Sequence, residues 1–232
     1  MKRIIILLLV AITSLNIVSC DKDNLNKGND DERQRELEMD YIDLGLSVKW
    51  ATCNIGANSP EEYGNYYAWG ETEPKSEYSY DTYKWYDCNS TDTKITKYNS
   101  NSQSGTIDNK AMLDTEDDVA HAKWGGKWRM PTKEEFEELR DSCTWTRTTL
   151  EGVTGYLVTS NIEGFSDRSI FLPAAGQYSD TELEAEDTFG YYWSRSLESG
   201  FGCFLAWGLF NNGNVGATDR TVGCTVRPVY PK

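Results

Sequence analysis

Histidine is almost missing from this chain: His121 stands alone among 232 residues. A metal centre built on several imidazoles is therefore excluded, and a histidine-based catalytic pair has one candidate base, with no serine or cysteine placed beside it by the sequence. Positive charge is also scarce, with 23 Lys and Arg against 37 Asp and Glu and a formal net charge of −14. There is no basic run to release counterions from a phosphate backbone, which argues against DNA or RNA as partners and against anionic lipid surfaces. Long hydrophobic runs are absent too. The longest, Ile4 to Ile12, falls well short of the roughly 20 residues that a spanning helix needs.

That short run has a different use. Lys2 and Arg3 precede it, and Ile17, Val18 and Ser19 lead directly to Cys20. This is the pattern of a signal peptide (residues 1–19) ending in a lipobox, with Cys20 as the lipidated residue that anchors the mature chain to a membrane. Loss of Lys2 and Arg3 takes the charge from −14 to −16. Residues 20–40 read as a solvated tether. From 21 to 40 there are eight acidic and four basic side chains, no aromatic, and only Leu25, Leu37 and Met39 as sizeable apolar groups, too few to offset the entropy of ordering. The acidic start Asp21, Lys22, Asp23 loosely resembles export tags that send bacterial lipoproteins to the outer leaflet of the outer membrane. The expected location is the bacterial cell envelope, at the outer membrane and on its surface.

From Tyr41 onward the composition changes. All 8 Trp, 14 Tyr and 7 Phe lie in residues 41–232, enough apolar area for one domain core. With Cys20 assigned to lipid, Cys53, Cys88, Cys143, Cys203 and Cys224 remain. The number is odd, so at least one thiol stays free. Cys203 and Cys224, both in candidate strands, are the favoured disulfide, closing a loop for about 3 kcal/mol; two buried free thiols are the alternative.

Candidate strands dominate: 47–54, 66–70, 156–160, 169–172, 191–196, 203–210 and 221–229, punctuated by Gly, Asn and Asp. Asn212-Gly213 between Phe210 and Val215 predicts a type I′ hairpin. Two short helices are expected. One spans 114–124 and is stopped by Gly125 and Gly126. The other opens at Thr132 with Glu135 completing a capping box, and Phe136 and Leu139 share its inner face.

Trp124-Gly125-Gly126-Lys127-Trp128-Arg129-Met130-Pro131-Thr132, with Glu135 and Leu139 after it, resembles the W-R-x-P-T-x-x-E-x-x-x-L signature of the Fibrobacter succinogenes major paralogous domain family. The resemblance runs in order through Asp43-Leu44-Gly45-Leu46, Trp50 to Ala57, Tyr67 to Thr72, Leu172 to Gly176, Tyr192-Trp193-Ser194 and Val226 to Val229, covering 41 to 231. It implies an α+β, C-type-lectin-like fold: a twisted, mostly antiparallel sheet, two short helices and long loops. In such folds the stretch between Trp193-Ser194 and Val226-Arg227-Pro228 is the exposed recognition face. Here the candidate ligand-binding residues are Arg195, Glu198, Phe201, Trp207, Asn212, Asn214, Asp219 and Arg220. Rings stack on sugars or apolar side chains while amides and charges add directional hydrogen bonds, which suits glycan or protein ligands. Two bland readings stand beside this one. Trp207 alternates with Leu205 and Leu209 and can face the core, and Asn212 can be turn chemistry alone.

The function expected is therefore a non-enzymatic cell-surface binding module, with an accessory subunit of a surface adhesin or fimbrial assembly as the alternative. A third is an oxidase. Formylglycine-generating and sulfoxide-synthase enzymes have a similar R-x-P-T-x-x-E helix entry, but the chain lacks their several histidines and their closely spaced thiol pair. No cofactor is expected. Structural calcium finds no supporting motif: Glu73-Pro74-Lys75 puts a cation where calcium lectins have an amide, and W-N-D is missing. Asp114, Glu116, Asp117 and Asp118 could hold an ion, although carboxylates gather at helix starts without one.

Overall fold

The computed structural model describes residues 40–89, 95–200, 205–210 and 213–232. The expected signal peptide, Cys20 and almost all of the expected tether lie outside the described residues, as do Phe201, Cys203 and Asn212. Among the described residues, no helix is long and apolar enough to cross a membrane.

Among the described residues, eleven short strands make four antiparallel sheets. The first joins the two ends of the domain: β1 (Tyr41–Ile42) and β11 (Val229–Pro231) flank β2 (Val48–Ala51). The second is β3 (Cys143–Leu150), β4 (Val153–Ser160) and β5 (Ser169–Pro173). A small ribbon pairs β6 (Gln177–Ser179) with β7 (Glu182–Glu184). The last sheet sets β9 (Leu205–Phe210) between β8 (Tyr191–Glu198) and β10 (Asn214–Asp219). With two short helices, this is an α+β architecture dominated by antiparallel sheet.

Helix α1 (Val119–Trp124) starts later than the expected 114, because Thr115–Asp117 forms a 3-10 turn and Asp118 is the cap, accepting from the N–H groups of Ala120 and His121. Gly125, at φ 70°, ends it. Helix α2 (Lys133–Ser142) has the expected capping box between Thr132 and Glu135, and Phe136 and Leu139 are buried. Phe136 stacks on Trp50 with ring centroids 5.7 Å apart.

Three further expectations need adjustment. Segments 66–70 and 221–228 are not ladder strands but single bridges, such as Tyr67 to Cys224 and Tyr192 to Thr225. Strand β3, rich in Thr and exposed over much of its length, was not anticipated. The β9–β10 hairpin is present, but Phe210 pairs with Asn214 and leaves three residues between the strands rather than a two-residue turn; Gly213 supplies the positive φ, at 90°.

Between β2 and α1 the described residues hold little regular structure beyond two 3-10 turns and isolated bridges, so their backbone polar groups need side-chain partners. Tryptophan and tyrosine provide them. Trp69 Nε1 donates to Ser194 O and Trp193 Nε1 to Tyr67 O, both at 2.8 Å, while Tyr83 OH donates to Trp69 O at 2.7 Å. Each of these rings is also in a core cluster.

Two arginines are fully buried. Arg227 donates from Nε to Asn54 Oδ1 at 2.8 Å, from Nη1 to Ala51 O and Thr52 O at 3.0 and 2.8 Å, and from Nη2 to Phe171 O at 3.0 Å. Burial lowers its pKa, opposed by Tyr192 and Cys53. It ties the end of β2 and strand β5 to the C-terminal segment.

All four described cysteines, Cys53, Cys88, Cys143 and Cys224, carry free thiols. Cys224, one half of the favoured Cys203 to Cys224 disulfide, is free and 0% exposed inside the main aromatic cluster, while Cys203 lies outside the described residues. Burial raises the Cys224 thiol well above its ordinary range and pushes Cys143 up to about 11.

Replacing Arg227 with Met removes the donors of four hydrogen bonds and strands their acceptors; urea unfolding should show a loss of about 3–5 kcal/mol. Iodoacetamide labelling followed by peptide mass spectrometry should modify exposed Cys88 in the native domain but Cys143 and Cys224 only after unfolding. Rapid native labelling of Cys224 would contradict its burial.

Candidate functional site

The β8–β9–β10 sheet carries most of the expected recognition residues, and its two faces differ. Trp207 and Leu209 point one way, towards α2. Leu209 is buried with Phe136 and Leu139, and Trp207 is half-buried with the Lys133 ammonium 4.0 Å from its ring centroid. The alternation that made Trp207 ambiguous thus resolves to packing against the start of α2.

The opposite face holds Trp193, Ala206, Gly208, Phe210, Asn214 and Gly216, by register of Trp193 with Gly208 and of Phe210 with both Tyr191 and Asn214. Trp193 and Ala206 are buried in the core at one end. Towards the hairpin the face opens, and Phe189, Tyr191 and Phe210 form a row. Their ring centroids are separated by 6.4 Å (Phe189 to Tyr191) and 5.3 Å (Tyr191 to Phe210). Phe189 is 37% exposed, Tyr191 and Phe210 are half-buried, and Asn214 is exposed beside them. The Phe210 ring lies over two facing glycines: a Cβ on Gly208 or on Gly216 would come within 3.1 Å of it. The glycines form a shelf without side chains on which the ring lies. Sequence reasoning named Asn214 but missed Phe189, Tyr191 and Phe210; the Gly208 to Gly216 pairing that would have marked the shelf depends on the hairpin register.

Other expected residues have structural employment. Arg220 is corrected: it is 0% exposed, donating from Nε to Tyr83 OH at 2.7 Å and to Tyr98 O and Lys97 O at 3.2 and 3.0 Å, with Trp69 beneath its guanidinium. It cannot reach a ligand. Asp219 accepts from Tyr80 OH and from the N–H and hydroxyl of Thr221, closing the turn after β10. Glu198 accepts from Gly200 N–H at the end of β8. Arg195 turns away from this face into a separate cleft.

The acidic residues near α1 gather as one group. Ligand atoms of Asp114, Glu116 and Asp117 lie within 4.8 Å of one another. Ammonium groups already sit among them: Lys97 lies 2.8 Å from Asp114 and 2.6 Å from Asp117, Lys84 3.0 Å from Asp117, and Lys110 2.5 Å from Asp114. Tyr98 OH also donates to Asp117 at 2.6 Å. Burial opposes ionisation of Asp117, but the hydrogen bonds from Lys97, Tyr98 and Lys84 outweigh it and hold its carboxyl below the ordinary 3.8. Hydrogen bonds from Lys110 and Lys97 lower Asp114 likewise. Asp118 departs from the group: burial raises its carboxyl, against Arg195 and the backbone N–H groups of Met130, His121 and Ala120.

Comparison with protein-family models, curated proteins and solved structures finds no significant match to this chain.

A carboxyl lowered on folding stabilises the fold fully above its unfolded pKa and loses that contribution as pH falls through the lowered value. Asp114 and Asp117 should therefore contribute fully above about pH 4 and progressively less below it. In urea titrations Asp117→Asn should cost about 2 kcal/mol at pH 6 and should lose less stability than the parent between pH 5 and pH 3.

Proposed function

We propose that the chain is a non-enzymatic, lipid-anchored binding module of C-type-lectin-like fold, tethered to the bacterial envelope through Cys20 and displaying residues 41–232 as its receptor head. The ligand is carbohydrate, received by the aromatic row Phe189, Tyr191 and Phe210 with Asn214 beside it. The observation that carries this reading is the partly exposed row itself. The rings meet edge-to-face (Phe189 and Tyr191, 84°) and tilted (Tyr191 and Phe210, 53°), and the Phe210 ring, seated on the glycine shelf, offers an apolar face to a pyranose ring, while an adjacent amide gives a hydrogen-bonding hydroxyl both a donor and an acceptor. Large rings with two rotatable bonds also lose little entropy on binding.

The family resemblance of 124–139 and the antiparallel, two-helix architecture support the fold assignment. The lipobox supports the anchor, and the acidic segment after Cys20 supports display at the outer membrane.

A glycan array probed with residues 40–232 tests the reading. Phe189→Ala and Phe210→Ala should each weaken the best glycan by about 1–2 kcal/mol, and Gly216→Ala, which displaces the Phe210 ring, should weaken it less. Trp207→Ala, on the other face, should leave it unchanged. Glycan binding that survives both ring deletions would remove the row as the site, and stoichiometric co-isolation with envelope proteins without glycan binding would favour the accessory-subunit role.

A further inference from the structure

Strand β8 departs from its partner where Arg195 sits. Trp193 pairs with Gly208 and Leu197 with Ala206, so β8 uses four steps where β9 uses two. The surplus is a bulge, and bulges re-aim side chains. Its backbone bonds elsewhere: Arg195 N–H donates to Pro131 O at 2.8 Å, and Arg195 O accepts from Leu113 N–H at 3.0 Å. Ser194 Oγ bridges back to Trp207 O at 2.6 Å.

The bulge delivers Arg195 to a cleft of about 210 Å³, which it lines together with Thr115, Asp118, His121, Trp128 and Arg129. Five buried side-chain polar atoms among the described residues have no hydrogen-bond partner, and two of them, Arg195 Nε and Trp128 Nε1, belong to residues of this cleft. Trp128 is 1% exposed and the Arg195 side chain 17%. The Arg195 guanidinium is anchored by Nη2, which donates to Leu113 O at 2.8 Å. Its Nε stands 3.9 Å from Asp118 Oδ2, beyond hydrogen-bond reach. Both Asp118 oxygens accept from Met130 N–H at 3.0 Å, and Oδ1 also accepts from Ala120 and His121. Arg129 is held by Glu135 at 2.5 Å.

Two residues of this cleft, Arg195 and Trp128, thus each keep an N–H without an acceptor, while Arg129 is matched by Glu135 and Arg195 faces Asp118. A buried N–H without an acceptor is costly, and one oxyanion group can satisfy two of them. We propose that the Arg195 cleft is a binding site for a single carboxylate group, on a small acid or on a hexuronic acid residue of a glycan. The nearby Asp118 carboxylate opposes a second negative charge, which selects a monoanion over phosphate. This site is separate from the aromatic row and does not depend on it.

The test is an NMR titration of the 40–232 domain, following the Trp128 indole and Arg195 Nε–H resonances. Sodium glucuronate should shift both saturably, acetate should shift the same pair with lower affinity, and glucose should shift neither. A glucuronate response much stronger than that of acetate identifies the sugar acid as the source, and equal responses identify the carboxylate alone. Arg195→Gln should weaken glucuronate by about tenfold or more, and Arg195→Lys, which lacks the Nε donor, by a similar factor. Phe189→Ala should leave the titration intact, so failure of the aromatic row and failure of this cleft are distinguishable. The proposal is overturned if inorganic phosphate competes as well as glucuronate at pH 7.5, if neither carboxylate shifts the two resonances, or if a folded Arg195→Gln domain binds unchanged.

Discussion

The fold depends on a guanidinium that has left water without meeting a carboxylate. Arg227 is fully buried, and the oxygens around it are one side-chain amide and three main-chain carbonyls, drawn from 51–54 and from Phe171. A buried charge of this kind survives only when its hydrogen bonds are satisfied. The carbonyls at the end of β2 in turn lack regular partners, so each side of the arrangement requires the other. Arg220 repeats the solution seven positions earlier, gathering Tyr83 and the carbonyls of Lys97 and Tyr98. Between them the two arginines tie irregular segments to each other and to the edges of strands β2 and β5.

The aromatic composition has the same explanation. Tyrosine and tryptophan outnumber phenylalanine by 22 to 7, and many of the buried ones use their polar tips, although the Trp50 and Trp128 indoles do not. Tyr192 OH donates to Pro173 O at 2.6 Å, Tyr78 OH to Tyr66 O at 2.7 Å, and Tyr66 OH to Ala175 O. A core of leucine would fill the same volume but would leave those loop carbonyls unpaired. With these bonds tying the core, Cys143 and Cys224 remain free and buried.

Local chemistry was the legible part of the sequence. Thr132 and Glu135 announced the start of α2, Gly125 the end of α1, and the Asn-Gly pair the final hairpin, because caps and turns are decided by neighbours in the chain. Fates decided by distant residues were hidden. Arg220 carries a charge and sits beside acidic Asp219, so it read as a surface residue; only the tertiary placement of Tyr83 and Trp69 makes it a core residue. Cys224 read as half of a disulfide, since nothing local to it says that Trp193 and Tyr67 share its cluster. The β8 bulge is invisible for the same reason, since a surplus residue has meaning only against a partner strand. That is why the candidate site moved from Arg220 and Trp207 to the neighbouring row on the other face.

The way the chain enters the domain has a mechanical consequence. Strand β1 contributes only two residues to the ladder, with Tyr41 stacked on Tyr230 at 5.6 Å and the Lys49 ammonium 4.1 Å from the Tyr41 ring. It runs antiparallel to β2, so tension along the segment before it pulls at one end of the ladder and opens contacts in succession. The β2–β11 pairing and the Arg227 anchorage lie behind it, out of that line of load. In the proposed tethered form this short hook would act under drag as a sacrificial clasp, letting go first and leaving the head folded.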